Sequence, residues 1–213
     1  GNDPSSTTND AQYNVGIGID VFNSITSGDN NTAVGFYSLD ANTSGEKNVA
    51  LGGATLTDNT SGNNNVAIGY DALANATSLS SNVAVGTNTM KSKTSGDPST
   101  AIGYAALEDN TSGGGNTAVG YYSLANNTTA NHNTAVGNGV LVYNTTGEKN
   151  TGLGYNVMGS NTTGSRNLGI GWGTLDGSDT ENDNLAIGYD ALGGSIAGGE
   201  KNVAIGNYSL DAN

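Results

Sequence analysis

The chain has 213 residues, 34 of them glycine and two of them proline, with 34% hydrophobic and 12% charged residues. Six Lys plus Arg against nineteen Asp plus Glu give a net charge of -13 at pH 7, and without clustered cations to neutralise phosphates a nucleic-acid partner is excluded. There is no cysteine for disulfides, thiol chemistry or zinc, and no apolar run of about eighteen residues, so no membrane insertion is expected of this segment.

Residues 1–13 are polar and carry no repeat, and are expected to form a tail or a cap over the first turn. No charged-then-apolar leader opens the chain, so any export signal is expected to have been removed or to lie outside this segment. From residue 14 to 213 a single unit recurs. Its marker is a glycine that returns every seventeen residues from Gly18 and Gly35 to Gly188, and then after eighteen at Gly206, twelve times in all. Self-similarity at this period is the signature of stacked coils rather than of a globule with a private core.

Within each unit the residue before the glycine is Ile, Val or Leu, as in Ile17, Val34 and Leu51, and the one before that is Ala or Gly. Asn stands four before the glycine in eleven units, and only Ser99 departs. An apolar residue stands four after it, as in Phe22, Leu39 and Met90. From the Asn to the glycine the alternation has period two, which predicts a strand with one face buried. We read the aliphatic column as the inward one. A second short extended stretch is expected from the glycine to the apolar residue four on, after which an Asn-Thr-Ser-Gly group turns the chain back. No stretch is long enough for a helix before a turn cluster breaks it.

The fold class so predicted is all-β: a parallel β-solenoid, or β-roll, of twelve turns of 17 residues, occupying 14–213. Strands about 4.8 Å apart would make a rod on the order of 55–60 Å long. The Asn column would form a ladder of amide hydrogen bonds from turn to turn. At the end, Ser209-Leu210-Asp211-Ala212-Asn213 repeats Ser38-Leu39-Asp40-Ala41-Asn42 but stops mid-unit. The array is therefore expected to be a fragment of, or to be continued by, a longer one.

The units Asn31-Thr32-Ala33-Val34-Gly35, Asn65-Val66-Ala67-Ile68-Gly69 and Asn202-Val203-Ala204-Ile205-Gly206 resemble the YadA-like head repeats of trimeric autotransporter adhesins. The longer form Asn116-Thr117-Ala118-Val119-Gly120-Tyr121-Tyr122-Ser123-Leu124, followed by Asn127-Thr128-Thr129, is similar to tandem repeats of phage tail fibres and marine microbial surface proteins. The resemblance implies a left-handed roll, a homotrimer and an adhesive rod. The unit here is longer than the adhesin head repeat, and no neck, coiled-coil stalk or anchor occurs in it.

Several columns are candidate sites. The Ala column, Ala33, Ala50, Ala67, Ala84, Ala101, Ala118 and Ala135, lies opposite the aliphatic one on each strand and is read as an oligomer face, in preference to a merely flat solvent-facing sheet. One residue after the glycine, Phe36, Tyr70, Tyr104, Tyr121, Tyr155, Trp172 and Tyr189 form an aromatic column. Tyr70, Tyr104, Tyr121, Tyr155, Trp172 and Tyr189 could stack on sugar rings, although packing of ring on ring between turns is the preferred reading. A threonine column runs unbroken from Thr26 through Thr94 to Thr162. It could order water and bind ice, but capping of turn backbone explains it more simply. Asn42, Asn59, Asn110, Asn127, Asn144 and Asn161 match the N-glycosylation acceptor. Asp176, Asp179, Glu181 and Asp183 could hold calcium, yet they lack the spacing of a calcium loop.

No constellation for catalysis is present. His132 is the only histidine and has no repeated acid or nucleophile beside it, and Gly169, Gly171 and Gly173 belong to the repeat rather than to a phosphate loop. No cofactor or metal is expected. The sequence predicts a non-enzymatic extracellular fibre domain on a cell surface or virion appendage, homo-oligomeric and facing a glycan or protein receptor. A self-assembling filament joined end to end by β-pairing and an ice-binding protein are the alternatives.

Overall fold

The computed structural model describes residues 11–177, 179–194 and 198–211. The first ten residues of the expected lead-in, and Ala212 and Asn213 of the terminal pentapeptide, lie outside the described residues. Twelve strands form one parallel sheet in strict chain order. They are β1 Val15–Ile17, β2 Thr32–Val34, β3 Val49–Leu51, β4 Val66–Ile68, β5 Val83–Val85 and β6 Thr100–Ile102. The array continues with β7 Thr117–Val119, β8 Thr134–Val136, β9 Thr151–Tyr155, β10 Leu168–Trp172, β11 Leu185–Tyr189 and β12 Val203–Ile205. Each pairs in register with its equivalent one lap on: Ala33 lies against Ala50, and Val34 against Leu51. The molecule is a β-solenoid with a 17-residue lap, as the period predicts, on the order of 50 Å from first strand to last.

Only one segment per lap is a strand. The stretch after each glycine, expected to be extended, is a turn in which alternate residues take left-handed backbone: Tyr37 at φ 56° and Leu39 at φ 51°, then Lys47 at φ 57° before the next strand. Strand backbone has φ near −120°, so this stretch coils instead of running straight. It still bonds lap to lap. The Tyr37 N–H donates to Ile19 O at 2.9 Å, Leu39 to Thr55 O at 3.0 Å and Lys47 to Asp29 O at 2.9 Å. Left-handed backbone costs a non-glycine residue on the order of 1–2 kcal/mol, and the cross-lap bonds hold it in place at each corner.

The marker glycine is required twice over. Gly103 has φ +137°, and a Cβ there would overlap the carbonyl of Gly120 in the next lap. Inside the coil one wall is the Ala column, from Ala33 to Ala204, and the other is the Leu/Met column from Leu39, Leu56, Leu73 and Met90 to Leu192; both are fully or almost fully buried. The expected phase of the strand is thereby inverted. The alanines point in, and the aliphatic residues before the glycine point out. The cavity between the two walls is filled by one Leu or Met per lap, which leaves a methyl or a hydrogen as the largest group the strand can send inward.

The asparagines close the polar side of the interior. Asn48 donates from Nδ2 to Oδ1 of Asn31 at 3.1 Å and to the Gly62 carbonyl at 2.8 Å, while its own backbone N–H donates to the same Asn31 Oδ1 at 2.9 Å. Comparable bonds join Asn65 to Asn48 and Asn82 to Asn65. This is the predicted ladder. Buried amides cost several kcal/mol unless paired, and here each is paired by the equivalent residue of the neighbouring lap.

Candidate functional site

The most extensive feature of the surface is the outer face of the sheet. Three columns share it, because alternation along a strand puts the residues three before, one before and one after the glycine on the same side. The five-residue strands display this directly: Leu168, Ile170 and Trp172 stand less buried than the inward Gly169. The first column is Val, Thr or Leu throughout, the second Ile, Val or Leu, and the third mostly aromatic. None of the six basic and nineteen acidic residues falls in any of the three. Ile102 is 40% exposed and Leu153 47%, whereas Ala101 and Ala118 are 0% exposed.

The oligomer face read from Ala33, Ala50, Ala67, Ala84, Ala101, Ala118 and Ala135 is thus corrected. All seven are buried in the molecule's own core, so they have no surface to offer a second chain. What their small size admits is the opposite wall of the coil.

The aromatic column lies at the edge of the outward face. Tyr104 and Tyr121 stack with centroids 5.5 Å apart and planes at 18°, Tyr155 and Trp172 at 5.7 Å and 7°, and Trp172 and Tyr189 at 4.8 Å and 3°. Tyr70 sits 6.3 Å from Phe36, across the lap that carries Gly53. The rings of the three stacked pairs face each other, so within the stacks ring edges rather than faces are free. A sugar stacking on such a column would have to take an end ring.

The remaining candidates resolve by burial and partners. The acceptor asparagines Asn42, Asn59, Asn110, Asn127, Asn144 and Asn161 are fully buried. Asn59, for example, donates to Asn42 Oδ1 at 2.9 Å and to Gly62 O at 3.2 Å, so the folded rod does not present these amides for glycosylation. They are a second interior asparagine column. Its signal was present in the sequence as a fixed position within the turn group.

The threonine column lies on an outer corner, and most of its hydroxyls are spent on backbone: Thr43 Oγ1 donates to Thr60 O at 2.8 Å and Thr60 to Thr77 O at 2.9 Å. Near it runs an open groove of about 500 Å³ lined by Asn126, Tyr143, Thr145, Ser160, Thr162 and Asp179.

The acidic stretch disperses. Glu181 is buried, and its Oε2 accepts from the backbone N–H groups of Asp179 and Thr180 at 2.9 and 3.0 Å, and its Oε1 from Gly198 at 3.0 Å. Burial alone would raise its pKa, but these donors outweigh it and the pKa is lowered. Asp183 instead takes a two-pronged bond from exposed Arg166, at 2.6 and 2.9 Å, which lowers its pKa. Among the described residues no group of three His, Cys, Asp or Glu side chains is placed to hold a metal ion, and no helix is long and apolar enough to cross a membrane. No family model, curated protein or solved structure matches the chain.

Proposed function

We propose that this chain is a non-enzymatic, extracellular rod that self-associates side by side through the outer face of its sheet, and that the assembled rod serves reach, rigidity and attachment to a surface. The observation that carries this reading is the uncharged three-column strip, with an unbroken column of Ile, Val and Leu along its middle, that runs the length of the solenoid. At roughly 50 Å by about 13 Å the strip covers roughly 700 Å², close to the roughly 800 Å² per partner of a standard stable interface. An uncharged surface of this extent with a continuous aliphatic column along it supports an interaction site rather than ordinary exposure. The resemblance to trimeric adhesin heads makes three copies around a common axis the expected closed assembly, with the acidic corners outward.

Mass in solution, by light scattering over a range of concentrations, tests this. A single trimer mass is the expected result. Open-ended polymers would favour the filament instead, and a monomer at every concentration would overturn side-by-side association.

A further inference from the structure

The second interior asparagine column is interrupted by Ala76 and then by Lys93. Lys93 is fully buried. Its Nζ donates to the carbonyl of Gly113 at 2.6 Å and to Oδ1 of Asn110, its equivalent one lap on, at 3.4 Å. Elsewhere in the column Nδ2 of Asn59, Asn144 and Asn161 donates to Oδ1 of the asparagine one lap before, at 2.9, 3.1 and 2.7 Å. At Asn110 the buried Nδ2 has no hydrogen-bond partner. The fold therefore sets an amine beside a carboxamide whose nitrogen nothing holds, inside a packed core.

We propose that Lys93 and Asn110 react with each other to form an intramolecular isopeptide bond that ties two consecutive laps covalently. Neutral Nζ attacks Cγ of Asn110. The Nζ–Cγ bond forms, the Cγ–Nδ2 bond breaks, one amine proton passes to Nδ2, and Nδ2 leaves as ammonia. The exchange is of one amide for another and needs no oxidant or cofactor. The product retains one N–H on Nζ, which can keep the bond to Gly113 O.

The surroundings favour the step. Burial lowers the Lys93 pKa to about 8, against an upward pull from Asp97, so the nucleophilic neutral amine is accessible near neutral pH. Asp97 is the carboxylate whose charge reaches this amine. Exclusion of water removes the competing hydrolysis.

Intact-mass and tandem mass spectrometry of the whole purified chain after incubation at pH 8 test the proposal. The expected species is lighter than the sequence mass by one ammonia and yields a linked peptide pair joining Lys93 to Asn110. Lys93→Arg and Asn110→Ala should each show their own full sequence mass. An unchanged mass in the natural chain would overturn the proposal. So would an ammonia loss that persists in Lys93→Arg, since that would place it in ring closure at an asparagine.

Discussion

In the narrow interior of this coil, the size of one side chain dictates that of its neighbour. Val140 and Val157 stand three after the marker glycine, where most laps have Ser, Thr or Ala, and the next strand residues to point inward, where most laps have Ala, are Gly152 and Gly169. A Cβ on Gly152 would lie 2.5 Å from Val140 Cγ1, and one on Gly169 2.6 Å from Val157 Cγ1. Gly152→Ala is expected to destabilise by about 1–3 kcal/mol through overpacking. Val140→Ser combined with it should recover most of that loss, a coupling that denaturant melts of the four-member cycle would read. Glu181 sets an acid limit. Its folded pKa lies below its ordinary value, which is about 4.3. The stability it contributes is therefore fully present above that pH and is lost as pH falls through the folded value. Glu181→Gln should lower stability at neutral pH and flatten the fall toward acid, as thermal melts across pH 2 to 6 would register.

At the scale of elements, the lap was legible and its phase was not. A glycine every seventeen residues fixed the coil because only glycine combines φ near +135° with a carbonyl from the next lap against its α-carbon. The Asn ladder was legible too, since a polar residue repeated without variation must find its partner in its own copies. Alternation along the strand, however, says that two faces differ and not which is inside. Bulk pointed to Ile, Val and Leu, but the Leu/Met column already fills the coil and leaves room only for Ala. The turn after each glycine was hidden by Leu39, Leu56 and their equivalents, which do not advertise left-handed backbone. Asp20, Asp71, Asn88, Gly139 and Asn156, two after the glycine, do advertise it and all have positive φ. One rung of the ladder is weak: the Asn116 N–H reaches Ser99 Oγ at 3.3 Å, against 2.9 Å from Asn133 to Asn116 Oδ1. Ser99→Asn supplies the missing amide, and is expected to stabilise the rod by about 1 kcal/mol, seen as a raised denaturant midpoint at unchanged slope.

For the whole molecule, charge and apolar surface are segregated. The net charge is -13; among the described residues every charged side chain lies outside the strands, and the outer face of the sheet holds none from β1 to β12. On the side-by-side association proposed above, acidic rods repel one another except where this strip meets its equal, which would restrict contact to one side. The exposure of that face was missed at the sequence level for the same reason the phase was, because a column of Ile, Val and Leu reads as core by bulk alone. The most direct measurement of this arrangement compares two neighbouring residues, Ala101 and Ile102, by circular dichroism and light scattering. Ala101→Asp buries a charge in the core and should abolish the strand signal, whereas Ile102→Asp should keep that signal and leave the chain monomeric. The reverse pattern, with Ile102→Asp unfolded and Ala101→Asp folded, would contradict the account.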